Sequence, residues 1–135
     1  MTKTLRAAVI AITALTASIT TSAQHAFLDQ PLIEALDEAQ SNELISIAII
    51  LEDIVDLPTL KTDFNERKLP AKERAPLVKK ALKEKAAATQ PSILDFIQTS
   101  NMEHSDIQTF WISNSIALKA DPELVGALSN RDDIA

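Results

Sequence analysis

The chain has 135 residues, with 13 Lys and Arg against 19 Asp and Glu, for a net charge of −6. That length has room for one domain, and the acidic balance argues against nucleic acid or an anionic membrane surface as a partner. There is no Cys, which excludes disulfides, a thiolate metal site and a cysteine nucleophile.

Lys3 and Arg6 give the N-terminus a positive charge, and Ala7 to Ile19 is an uncharged, largely apolar run. Thr21-Ser22-Ala23 then places small residues before a cut after Ala23. This is the layout of a secretory signal peptide, and the run is short for a membrane span. Residues 1–23 are therefore predicted to be removed on export to the periplasm or the exterior. Removing 23 of 135 residues leaves 112, and losing Lys3 and Arg6 takes the net charge from −6 to −8.

Residues 24–43 read as an extension with one short helix opened by Pro31, carrying Leu32, Ile33, Leu36 and Ala39 on its apolar side. The domain proper is assigned to residues 44–135. Glu43–Glu52 (ELISIAIILE) is apolar at both parities apart from Ser46, which predicts a central strand buried on both faces. Asp56 and Pro58 start a helix with Leu57, Leu60 and Phe64 at helical spacing. Pro70 restarts the chain into a longer helix whose stripe is Val78, Leu82, Ala86, Thr89, Ile93 and Phe96/Ile97, with the lysines on its wet side. Pro91 either kinks that helix or begins a second. Met102 to Asp106 reads as a polar lead-in.

From Ile107 the pattern alternates through Trp111, pauses at Ser113-Asn114, and resumes at Ile116, Leu118 and Ala120. A hairpin fits, as does one bent strand bulged at Asn114. Asp121-Pro122-Glu123 is a helix start, with Leu124, Val125, Ala127 and Leu128 as its apolar face, and Ile134-Ala135 begins another strand. After the first helix the order is β-α-β-β-α-(β), which predicts an α+β fold with helices on one face of an antiparallel sheet.

Catalytic machinery is hard to find in these residues. Gly126 is the only glycine, so there is no Gly-rich phosphate loop and no nucleophile elbow. His104-Ser105-Asp106 has the letters of a triad, but a triad is assembled from distant segments. His25 and His104 are far apart, and the acidic pairs Glu52-Asp53 and Asp132-Asp133 lack the spaced ligands of a calcium loop. No catalytic residue, metal or cofactor is assigned, and binding is the predicted role. Phe110, Trp111, Ile112 and Ile116 are the candidate partner contacts, since half of an alternating strand faces away from its helices.

Leu44–Asp53, Asp56–Leu60, Ala81–Phe96 and the run Phe110–Ala135 (FWISNSIALKADPELVGALSNRDDIA) together resemble the N-terminal propeptide of secreted subtilisin-like serine proteases, the bacillopeptidase F-like branch in particular. The resemblance covers about Leu32 to Ala135. It implies a ferredoxin-like fold whose sheet docks on the protease catalytic domain, and a non-catalytic domain that assists folding of that protease and inhibits it temporarily. In that family a tail follows the last strand into the substrate cleft. Here the last strand is truncated just after it begins, so the resemblance implies a fragment or stand-alone version acting on a catalytic domain in cis or in trans. Without the resemblance, the same residues describe an exported α+β protein-interaction module unrelated to proteases.

Overall fold

The computed structural model describes residues 27–40 and 43–135. The predicted signal peptide, the Ala23 cleavage position and His25 lie outside the described residues.

The elements run α1 (Gln30–Glu38), β1 (Ile45–Ile50), α2 (Leu57–Glu66), α3 (Ala71–Thr99), β2 (His104–Phe110), β3 (Ser115–Ala120) and α4 (Pro122–Ser129). The fold is α+β: a three-stranded antiparallel sheet in the order β1-β3-β2, with its core on one face. Three helices start in the same way. Asp29, Asp56 and Asp121 each accept a hydrogen bond from the backbone N–H three residues on, and a proline sits in the first turn. Each cap satisfies an otherwise orphaned donor where the helix dipole favours negative charge.

Strand parity decides the core. Ile49 pairs with Ile116, Ile47 with Leu118 and Ile45 with Ala120, so these side chains share the inner face. Against it pack Ile93 and Ile97 of α3 and Leu124, Val125 and Leu128 of α4. Leu32 and Leu36 of α1 also pack on this core, so the N-terminal extension contributes to the domain. Ile33, expected on the apolar side of α1, is exposed, and Ala39 is the C-cap.

Several expectations are corrected. β1 is an edge strand buried on one face only, and β3 is the central strand. α1, α3 and α4 pack on the inner side, and among the described residues Ile50 is left 55% exposed. The hairpin reading holds, but Trp111 belongs to the turn rather than to a strand, and β2 begins earlier, at His104. The bulge lies between Ser105 and Gln108, not at Asn114. One extra residue there, with Asp106 at φ 55°, keeps both Ile107 inward and Gln108 outward. Pro91 neither ends α3 nor starts another helix. The carbonyl it frees belongs to Ala87, and both residues are exposed, so water can satisfy it.

α3 is 29 residues, about 43 Å long, and its fully buried residues all lie from Ala86 onward. Its first half packs on α2 and touches the hairpin turn and the segment after β1 through Lys83 over Trp111 and Lys85 to Asp53. The α2–α3 corner turns at Lys68 (φ 53°), with Leu69 N–H donating to Phe64 C=O, the pattern of a left-handed helix cap. Arg74 braces the corner by donating to Leu69 C=O and to Asn65 Oδ1, both at 2.8 Å.

One buried polar cluster ties the sheet to α3. Asn114, at φ 46° in the hairpin turn, donates to Asp53 C=O (2.9 Å) and to Thr89 Oγ1 (2.9 Å). Gln90 of α3 donates to Asn114 Oδ1, Phe110 C=O and Ser115 C=O. Among the described residues, every buried side-chain nitrogen and oxygen has a partner.

Two adjacent residues test the one-sided burial of β1. Ile49→Ala should cost about 3 kcal/mol, and Ile50→Ala less than about 0.5 kcal/mol, both read by urea denaturation. Equal losses would restore a strand buried on both faces. At the turn, Asn114→Ala should destabilise by about 1 kcal/mol more than Asn114→Gly, because only Ala strains at a left-handed φ. Equal losses from Ala and Gly would assign the whole effect to the side-chain hydrogen bonds.

Candidate protein-interaction face

The sheet face away from the helices is built in three cross-strand rows. The register places Phe110 beside Ser115 beside Ile50, then Gln108 beside Ala117 beside Ala48, then Ser105 beside Lys119 beside Ser46. The middle of this face is made of small side chains, so its relief is shallow. One end carries the large apolar groups, with Phe110 45% and Ile112 66% exposed. Ile54 and Leu57 are also exposed, on the segment that follows β1 past the hairpin turn. The other end is polar. Lys119 Nζ lies 2.8 Å from Asp106 Oδ2, and the hydrogen bond from Lys119 holds the Asp106 carboxyl below its ordinary range.

The predicted contact residues separate. Phe110 and Ile112 are on the surface at the apolar end. Trp111 is half-buried, with Lys83 Nζ 5.3 Å from its ring centroid. Ile116 is fully buried in the core and presents nothing to a partner. Ile50 was missed because the apolar run of β1 reads as buried on both sides. The available signal was size: Ser46 and Ala48 share its parity, whereas Ile45, Ile47 and Ile49 share the other.

The other motifs resolve into local contacts. His104 Nδ1 lies 2.9 Å from Met102 C=O, while Asp106 faces Lys119, so His104-Ser105-Asp106 forms no relay. Asp53 pairs with Lys85 at 2.6 Å. Among the described residues no group of three or more His, Cys, Asp or Glu could hold a metal ion, and no helix is long and apolar enough to cross a membrane.

Asp133 belongs to a clasp. Arg131 donates from Nε to Asp133 Oδ1 (2.7 Å) and from Nη2 to Asp133 Oδ2 (2.6 Å). It also donates to Ser92 Oγ on α3 (3.0 Å) and stacks over Phe96, 4.9 Å from the ring centroid. The clasp holds the last described residues against the helix layer, where Ile134 bridges Leu51. The hydrogen bonds from Arg131 lower the Asp133 pKa, against a smaller opposing effect of burial. A depressed carboxylate pKa contributes stability that is present above about pH 4 and is lost as pH falls through the folded-state value. The protection of the Glu52 amide, which donates to Asp133 C=O, should therefore fall below about pH 4 once its exchange is divided by the intrinsic rate at each pH. Asp133→Asn should remove that pH dependence, and an unchanged profile in the variant would show that the clasp does not control the bridge.

A scan against protein families, a search of curated proteins and a search of solved structures each find no match to this chain.

Proposed function

We propose that this chain is a non-catalytic, exported propeptide-like domain that assists folding of a subtilisin-like serine protease and inhibits it temporarily. The observation that carries the reading is the uncovered outer sheet face. It is shallow and small-residue in its middle, and Ile50, Phe110 and Ile112 stand exposed at one end. Such a face can take the helices of a partner with little loss of side-chain freedom, and its apolar end supplies the contact area on which affinity depends. The strand order β1-β3-β2, with α3 and α4 packed on the opposite face, supports the ferredoxin-like reading that the sequence resemblance implies. Partner binding would stabilise by mass action a domain that has no disulfide.

The test is refolding of a denatured subtilisin-like catalytic domain with and without the chain, together with inhibition of the mature enzyme. The expected result is a higher refolding yield and measurable inhibition. A double substitution, Ile50→Glu with Ile112→Glu, should weaken binding at least about tenfold while leaving thermal unfolding of the chain itself nearly unchanged. A chain that neither binds the catalytic domain nor alters its refolding sinks the proposal.

A further inference from the structure

Charge is unevenly placed along the chain. Residues 57–85, which hold α2 and the first half of α3, carry nine basic residues against four acidic, a net of +5. The other described residues carry Lys119 and Arg131 against 15 acidic residues, a net of −13. Within the basic arm Arg67, Lys80 and Lys85 are paired, with Asp63 (3.0 Å), Glu84 (3.7 Å) and Asp53 (2.6 Å). Among the described residues, Lys61, Lys68, Lys72, Lys79 and Lys83 have no carboxylate within 4.0 Å. Lys72, Lys79 and Lys83 are exposed and stand at i, i+7 and i+11, so they form one line along α3. The line is about 16 Å long, and Glu73 and Glu84 lie off it, about 100° or more round the helix. It ends at the hairpin turn, where Lys83 stands over Trp111. Neither described chain end lies against it, since Phe27 and Ala135 both line the groove beside β1.

We propose that this line is the docking site for a short acidic segment of a protein partner, whose carboxylates reach Lys72, Lys79 and Lys83. Charge complementarity selects the chemistry. Lysines without a carboxylate partner, at one end of an otherwise acidic molecule, draw an anion to that end and orient it on approach. Extent then selects the class of anion. Charges act over about 8 Å at physiological salt. A nucleic-acid duplex or an anionic bilayer runs on past the line and meets the acidic body within that range, because the body begins where the line ends, at Asp53 beside Lys85. A short acidic segment stays within the line. One exposed ion pair contributes little, so the three lysines act as a row. Each is a mobile point charge, so the row asks for carboxylates along its length rather than for one fixed bidentate geometry. A carboxylate that approaches Lys83 competes with the Trp111 ring for the ammonium, which makes the indole a reporter. The inference is independent of what binds the outer face and needs no protease.

The probe is a blocked octaglutamate peptide, titrated into the isotope-labelled full chain and followed by NMR. The expected result is a saturable shift of the Lys72, Lys79 and Lys83 amides and of the Trp111 indole N–H, which weakens as salt rises. A blocked octaglutamine twin should shift none of them. Replacing all three lysines by Glu should weaken binding at least about tenfold, and Lys119→Glu, at the other end of the chain's charge distribution, should leave it unchanged. If the triple Glu variant misfolds, replacement of the same three lysines by Gln gives the same reading through a smaller loss. The inference is overturned if octaglutamate shifts nothing on α3, if its shifts centre on Lys119 or Arg131, or if the triple variant binds as well as the natural chain. It is also overturned if a DNA duplex or phosphatidylglycerol vesicles bind the line more tightly than octaglutamate, or if the line is already covered by self-association without peptide.

Discussion

The carboxamide of Asn114 is the point on which three parts of the structure meet. Its nitrogen donates to the segment after β1 and to Thr89 of α3, and its oxygen accepts from Gln90. Its backbone occupies the left-handed region that closes the β2–β3 turn. In a buried site, an unpaired amide costs about 1–3 kcal/mol, so the turn, the seating of α3 and the exit from β1 depend on one another. Because the turn fixes where β3 begins, it also fixes which side of β3 faces the helices. A slip of one residue would bring Lys119 inward and carry Ile116 and Leu118 into solvent.

The same parity creates the asymmetry on which the functional reading rests. The main buried apolar cluster lies between the sheet and α3 and α4. The other face is left with Ser46, Ala48, Ser115 and Ala117, bordered by larger apolar groups at the hairpin end. A sheet covered on one side is ordinary for antiparallel strands. The unusual part is the chemistry of the uncovered side, where Phe110 and Ile50 flank Ser115 in the place where charged residues would normally keep water.

Local signals in the sequence were legible, and those that depend on tertiary context were not. Asp56 with Pro58 and Asp121 with Pro122 mark helix starts through bonds made within three residues, and both helices begin there. The stripe of α3 was also visible, since Ala86, Ile93 and Ile97 recur at helical spacing. Burial of Gln90 on that helix could not be read, because its partners Phe110, Asn114 and Ser115 are 20 to 25 residues away. β1 misled for a physical reason: isoleucine satisfies strand propensity on either face, so a run of apolar residues does not say how many faces are covered. The contact residues divided on the same ground, with Ile116 claimed by the core and Phe110 left outside.

The long helix has a further consequence for how the molecule comes apart. From Ala86 onward α3 is buried against the sheet, whereas before that point it is held by α2, the Arg74 brace and the contacts of Lys83 with Trp111 and Lys85 with Asp53. Phe64 is buried at this corner and lies outside the main core cluster. The α2–α3 corner therefore shares little buried surface with the sheet and should open at a lower free energy than the sheet and α4. Its opening would shorten the rigid part of the domain to the portion that carries the strands, and would loosen Leu57 at the apolar end of the outer face.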